Sequence, residues 1–351
     1  MDDQLKSFLN EKAEYLEKER IKAVKKNYFY KIVKPLSKIL KVVIIILLVI
    51  NIIIPVLVPI TIALGVIYFL FYFINDPKEV FEATLKEDIL PKIFSYINTT
   101  YKYSSLGYNK KTLADSEIIS KGFFANTVII EGEDYVKGQI DNIDVEFVEI
   151  KFYRNETNYT KTAGGCLLSL ILLPVEIFKN IFHGDTQSDD IFPGVVQDTN
   201  VFFSGLFMHA DFHKDFSGKV VMLPKKNDRK IDQLYEILDP KNLTKINIEN
   251  PHINDNYNIY TSDIQTGYYV LSQNLIDRIR IISEKENALP IVSFINGKMY
   301  FIIPWNKNFF RFNLNTKIEN ESFFLPYINE INYFEKIVKE LNLDTRIWTK
   351  V

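Results

Sequence analysis

Residues 42–75 read VVIIILLVINIIIPVLVPITIALGVIYFLFYFIN, and the rest of the chain is read outward from them. None of these 34 residues is charged, and 25 are Val, Ile, Leu or Phe. Each such residue favours mid-bilayer by roughly 0.3 to 0.6 kcal/mol, so the stretch predicts membrane insertion. One helix crosses a core of about 30 Å with about 20 residues. Thirty-four are too many for one span and slightly few for two spans and a turn. Asn51, Pro55 and Pro59 fall in the middle, and proline breaks the helical ladder. Leu36, Ile39 and Leu40 lengthen the first half, with Lys38 and Lys41 reaching for the headgroups. The expectation is a helical hairpin: a first span bounded by Leu36 and Ile54, a turn through Pro55 and Pro59, and a second span bounded by Ile60 and Asn75. The alternative is one kinked, tilted span whose excess length lies in the interface.

Orientation follows the basic residues. Eleven Lys and Arg against six Asp and Glu precede Val42. Lys31, Lys34, Lys38 and Lys41 crowd the near side of the stretch and are the candidate contacts for anionic lipid headgroups. The positive-inside rule places this arm in the cytoplasm. A hairpin returns the remainder to the cytoplasm; a single span exports it. Residues 76–351 hold 31 basic and 38 acidic side chains, which argues against a nucleic-acid surface. The chain is therefore expected to be a multi-pass protein of a bacterial inner (plasma) membrane with a cytoplasmic domain. Its expected partners are membrane lipid and a protein of unknown identity.

Three regions result: a basic amphipathic helical arm (1–35), the transmembrane hairpin (36–75) and a soluble α+β domain (76–351) with an apolar insert at 155–200. In the arm, Leu5, Phe8, Leu9 and Leu16 keep helical spacing. That stripe suits a partner helix, or an arm resting on its own domain or on the membrane. A helix follows Asp76-Pro77, and a short one covers 111–120. Strands are expected at 123–130, 135–140 and 143–153, with Asp141-Asn142 as a two-residue turn. In the third strand the apolar phase shifts from Val145 and Phe147 to Ile150 and Phe152, which suggests a bulge. Residues 201–212 and 219–223 look like paired strands. Short strands at 246–248 and 258–260 come next, then a segment capped by Asp263 and a helical stripe of Leu275, Ile276, Ile279 and Ile282. A hairpin about Asn296-Gly297 follows, where both turn positions tolerate φ > 0. Helices at 228–238 and 326–341 and a last strand ending near Trp348 complete the domain. Helices and antiparallel strands mix without regular βαβ alternation, so the class is α+β.

Motifs for chemistry are sparse. Phosphate-cradling loops, nucleophile elbows and Cys/His metal spacings do not occur, so neither catalytic residues nor a cofactor are expected. Gly205 and Gly218 read as turn or bulge glycines. Cys166, the single cysteine, opens an apolar run, Cys166 to Pro174, which suits either an interfacial segment or a packed helix. His209, Asp211 and His213 alternate on a strand and would share a face, an arrangement that can hold a metal; against it, they also suit a polar, solvated strand end. Glu131, Glu133 and Asp134 cluster where a solvated turn is expected. Trp305 reads as a core or membrane-edge aromatic.

In combination, several segments resemble one family. They are Glu133-Asp-Tyr-Val-Lys-Gly-Gln-Ile140, Phe203-Ser-Gly-Leu-Phe-Met-His-Ala-Asp-Phe-His-Lys214, Tyr260-Thr-Ser-Asp263, Tyr269-Val-Leu-Ser272 and Leu341-Asn-Leu-Asp-Thr-Arg-Ile-Trp348. Preceded by two apolar segments and a helix, they resemble the bacterial domain of unknown function family 3137 over roughly residues 40–350. Ser204-Gly205, Ala210-Asp211-Phe212, Ser262-Asp263 and Trp348 fit its pattern. The run from Leu167 to Phe182 departs from it, as does His209, where the resemblance implies an apolar residue. The resemblance implies the hairpin and a cytoplasmic domain, and it brings no activity, substrate or catalytic residue. The alternative function is a membrane-bound metal-dependent hydrolase using His209, Asp211 and His213.

Overall fold

The computed structural model describes residues 3–117, 128–157, 197–212, 214–225, 243–305 and 309–341. Residues 158–196 of the expected insert, with Cys166, and also His213, the 228–238 helix and the strand near Trp348 lie outside them. The described chain is an N-terminal helical region followed by a mixed domain of helices and antiparallel sheet, as the α+β reading requires. It divides into two compact units. One takes in the described residues of Met1–Glu17, Glu82–Arg154 and Val201–Val351; the other takes in Lys18–Phe81, with the described ends of 155–200.

The second unit is helical. Helix α1 runs unbroken from Asp3 to Ile50, with Pro35 inside it. The sequence boundary at residue 35 is therefore not a break in the helix. At 48 residues and about 1.5 Å per residue, α1 is roughly 70 Å long. Residues 51–54 turn, Pro55–Leu57 form a single 3-10 turn, and α2 covers Val58–Tyr72. The reversal thus begins at Asn51, ahead of the expected Pro55. The cause is local: Ile54 precedes a proline, which disfavours helical backbone, and it sits at φ −126° and ψ 81°. Asn51 Nδ2 then donates to Thr61 Oγ1 at 2.9 Å, tying the end of α1 to the start of α2. Around the reversal Ile52, Ile53 and Val56 are about four-fifths exposed. Among the described residues, one helical run, Pro55–Ile97, is long and apolar enough to cross a membrane, and almost none of its most apolar window is buried. Before the stretch, the Tyr30 hydroxyl accepts from Lys34; that bond and the Asp76 and Glu79 carboxylates hold the Lys34 ammonium above its ordinary value.

The first unit begins with the opening turns of α1, where Leu5, Leu9 and Leu16 are buried. Glu17 accepts from the Ile318 amide at 2.9 Å, and Asn10 from the Glu321 amide at 3.2 Å. Here the arm rests on its own domain. Helices α3 (Pro77–Thr84) and α4 (Leu90–Ile97) are joined by a π turn, Leu85–Ile89. Strand β1 (Lys102–Leu106) and α5 (Lys110–Asp115, capped by Asn109) follow. β2 (Val128–Ile140) and β3 (Ile143–Thr157) make the expected hairpin. Asp141 and Asn142 have φ of 50° and 68°, the left-handed pair a tight turn demands. Then come β4 (Gln197–Asp211), β5 (Lys219–Pro224), β6 (Thr244–Ile246), α6 (Pro251–Asn256) and β7 (Tyr257–Thr261). The domain closes with α7 (Ile264–Val270), α8 (Gln273–Glu286), β8 (Ile291–Ile295), β9 (Lys298–Pro304) and α9 (Leu325–Leu341).

The nine strands form one sheet in the order β1-β2-β3-β4-β9-β8-β5-β7-β6. Every pairing with a described register is antiparallel. β4 and β5 are thus not partners, contrary to the sequence reading. The β8–β9 hairpin stands between them. Its Asn296-Gly297 turn has φ of 48° and 75°. That turn bonds both neighbours: Phe212 N donates to Gly297 O, and Asn296 N to Gly218 O. Gly205 is a strand residue rather than a turn glycine: a Cβ there would lie 2.5 Å from Ile303 O.

Both faces of the sheet are buried. Val148, Ile150 and Phe152 of β3 join Phe203, Phe207, Val221, Ile291 and Ile302 on one side. On the other, Phe147 stacks on Phe334 of α9 at 4.8 Å. Trp305, half-buried, packs on Phe309 and Tyr333, 5.0 and 5.4 Å between centroids. This two-faced burial explains the phase shift in β3. No extra residue sits in β3; the register shift lies in β2, between Glu133 and Val136.

Candidate functional site

The bulge in β2 carries the densest group of ionisable side chains. Glu133 pairs with Glu149 and Val136 with Phe147, so Asp134 and Tyr135 oppose Val148 alone. Asp134 takes φ 56°, a left-handed backbone that Asp tolerates better than most residues. The bulge turns its side chain inward, where it is 2% exposed. The expected solvated turn at Glu131, Glu133 and Asp134 is therefore wrong. These residues belong to a long strand, and Asp134 is in the core.

Two elements supply its partners, and a third completes the group. Lys86, on the π turn, places Nζ 2.8 Å from Asp134 Oδ2 and 3.7 Å from Glu82. Tyr103 of β1 donates its hydroxyl to Asp134 Oδ1. From β3, Lys151 lies 2.9 Å from Glu133 and 3.5 Å from Glu149. Glu149 also accepts from the Phe309 amide at 3.0 Å, and Glu330 of α9 accepts from Phe310 at 2.8 Å. Aromatic rings wall the group: Phe94 stacks on Tyr103 at 4.9 Å and meets Phe310 edge-on at 5.5 Å.

Desolvation dominates here. Burial pushes the Asp134 carboxyl above its ordinary value, and Lys86 and Tyr103 offset only part of this. Glu149 is raised by burial, against the Phe309 amide and Lys151. Glu330 is raised likewise, against the Phe310 amide. Burial pulls Lys151 down, but its bond to Glu133 and the charge of Glu149 outweigh this and hold it raised. One oxygen from each of Glu133, Asp134 and Glu149 lies within 4.8 Å of the others. Such an all-oxygen set suits a hard cation, yet two ammonium groups already stand against these oxygens. The arrangement is a network of ion pairs and hydrogen bonds linking α3, the π turn, β1, β2 and β3. Sequence reading missed Lys86, Tyr103, Glu149, Lys151 and Glu330 as a group. The one available signal was Glu149 and Lys151 continuing the face of Val145 and Phe147 on a buried strand.

His209 and Asp211 share a face of β4, opposite Tyr300 and Lys298 of β9. His209 is 7% exposed, so it is not on a solvated strand end. Its ring lies 5.0 Å from that of Tyr300. Neither ring nitrogen has a hydrogen-bond partner among the described residues. Burial, reinforced by Lys298 and Lys137, lowers its pKa against Glu146 and Asp211. His213 falls outside the described residues.

Residues 201–343 match the family model described as "Protein of unknown function (DUF3137)". The match agrees with the resemblance read from Phe203 to Lys214 and onward. No curated protein matches the chain. Among solved structures, the mycobacterial trehalose monomycolate transport factor A, TtfA, is similar over 71% of this chain and 93% of its own. The sequences are 7% identical and the TM-score is 0.30.

Proposed function

We propose that the protein holds its α+β domain at the cytoplasmic face of a bacterial inner membrane, where the domain binds a partner protein or lipid headgroups without catalysing a reaction. The apolar segment enters the bilayer as a hairpin, and both of its ends stay on the basic side. The observation carrying this reading is the exposure of Ile52, Ile53 and Val56 about the reversal, 82%, 79% and 83%. Three such side chains in water would each forfeit on the order of 1.5–3 kcal/mol of burial. Lipid removes that cost. The reach of Asp76 and Glu79 to Lys34 supports a return to the starting side. Lys34, Lys38 and Lys41, the nearest to the bilayer, then meet anionic headgroups, each adding about 1 kcal/mol near the surface.

The test is the side on which the C-terminus lies. A cysteine is appended after Val351 in a Cys166→Ser chain, and intact cells are treated with an impermeant maleimide. Labelling only after permeabilisation is expected. Labelling of intact cells means one span and an exported domain.

A second reading, a membrane-bound hydrolase using His209, Asp211 and His213 to hold a metal, draws support from the unpartnered nitrogens of His209. Purified protein without a bound transition metal, and an unchanged phenotype for His209→Ala, would remove it.

A further inference from the structure

Helix α1 has a second apolar face. Leu5, Leu9, Leu16 and Ala23 are buried. On another side of the helix, Ile21, Val24, Tyr28, Ile32, Leu36 and Ile39 recur every three or four residues. Their exposures are 42%, 39%, 75%, 53%, 47% and 61%. Three- and four-residue steps keep side chains on one face, so these six form a continuous stripe. Only its last third falls in the expected span. Ile21 lies fifteen residues before Leu36, about 22 Å along the axis. The headgroup layer on either side of the hydrocarbon is only about 5–8 Å deep. The bilayer that receives Leu36 therefore cannot cover Ile21, Val24 or Tyr28. An exposed apolar run of this length on a soluble stretch of helix marks an interaction surface.

Charge selects the occupant. Residues 18–41 carry nine basic side chains and one acidic one. Ahead of the span, exposed Lys25 borders the stripe on one side and exposed Lys31 borders it on the other. A second copy, inserted in the same membrane, would have to pair parallel. That pairing sets Lys25 of each copy against Lys31 of the other, which is destabilising at such seams. An acidic border suits them instead. We infer that the stripe from Ile21 to Ile32 docks an amphipathic helix of a partner protein, with apolar residues on its seam and Asp or Glu on its borders. This deepens the membrane reading and rests on it, because the depth argument needs α1 to enter the bilayer.

The experiment places the photo-crosslinking residue p-benzoylphenylalanine at position 28 of the full chain, in its host membrane. A control places it at position 26, off the stripe. Irradiation is expected to give an adduct from position 28 only. Its crosslinked peptide carries more Asp and Glu than Lys and Arg. Reversing Lys25 and Lys31 to Glu lowers adduct yield about tenfold, as expected when both border pairs become repulsive. An adduct of twice the chain mass, a link to lipid, a link within the chain, a basic peptide, or no adduct overturns the proposal. The same membranes are washed at alkaline pH. Protein that is retained but gives no acidic adduct sinks the docking face alone; protein that washes off sinks the membrane reading and this proposal together.

Discussion

Lys86 Nζ stands 2.8 Å from Asp134 Oδ2, joining the π turn between two helices to the bulge of β2 across 48 residues of sequence. Both side chains are nearly enclosed, 10% and 1% exposed. Removing one partner of such a pair strands the other charge in the core, at a cost of about 3–5 kcal/mol. Asp134→Ala is therefore expected to lower the urea midpoint of the detergent-solubilised protein sharply. The paired change Lys86→Met with Asp134→Leu should recover most of the loss. A double variant no more stable than Asp134→Ala would show that the bulge needs the charge itself.

Acid should strengthen the same region. Asp134, Glu149 and Glu330 are all raised by burial, so the folded state holds their protons more tightly than the unfolded chain. Their contribution is fully present below the unfolded carboxylate value of about 4 and is lost as pH climbs through the raised folded values. Glu330→Gln, which keeps an oxygen for the Phe310 amide, is expected to reduce that loss. Urea midpoints compared between pH 4 and pH 7 decide it; equal slopes for both proteins would refute the assignment.

Gly205 faces a carbonyl at close range. A Cβ would sit 2.5 Å from Ile303 O and 3.1 Å from the Phe203 ring. Gly205→Ala must wedge β4 from β9 or displace Phe203, and overpacking of this kind costs typically 1–3 kcal/mol. Thermal unfolding at an unchanged midpoint would mean that the strands separate more easily than this contact implies.

Asn51 and Thr61 form the polar clasp of the apolar reversal. Membrane hydrogen bonds average about 0.6 kcal/mol, so Asn51→Leu should leave insertion intact. The clasp is expected to act on geometry: cysteines placed at Ile50 and Ile62 should crosslink less efficiently in the Asn51→Leu background. Equal crosslinking yields would assign the reversal to Pro55 and Pro59 alone.

What could be read from the sequence was what depended on neighbours in sequence. Asn296-Gly297 and Asp141-Asn142 fixed their turns because the φ > 0 requirement is local. Leu275, Ile276, Ile279 and Ile282, all buried, showed the face of α8 by spacing. Asp263 capped α7 as expected, accepting from Thr266 N at 2.7 Å. Strand partners were not readable in this way. Nothing in residues 201–223 indicates that a hairpin some 75 residues later inserts between β4 and β5. β1 was missed because Lys102 to Leu106 alternates between exposed and half-buried positions and lacks the β-branched residues that announce a strand. Asp134 was misjudged for a related reason: its burial depends on Lys86 and Tyr103, which no local pattern ties to it.

The place of β4 in the sheet bears on how this protein can be cut. The family match begins at residue 201, inside β4, while β3 lies hydrogen-bonded along the strand's other edge. A fragment trimmed to the matched residues would bare a long, apolar row of unpaired amides and carbonyls in what had been the middle of a sheet. Open edges of that sort recruit other chains. Expression of 201–343 by itself should give aggregates, and a tractable soluble piece must begin upstream of β1.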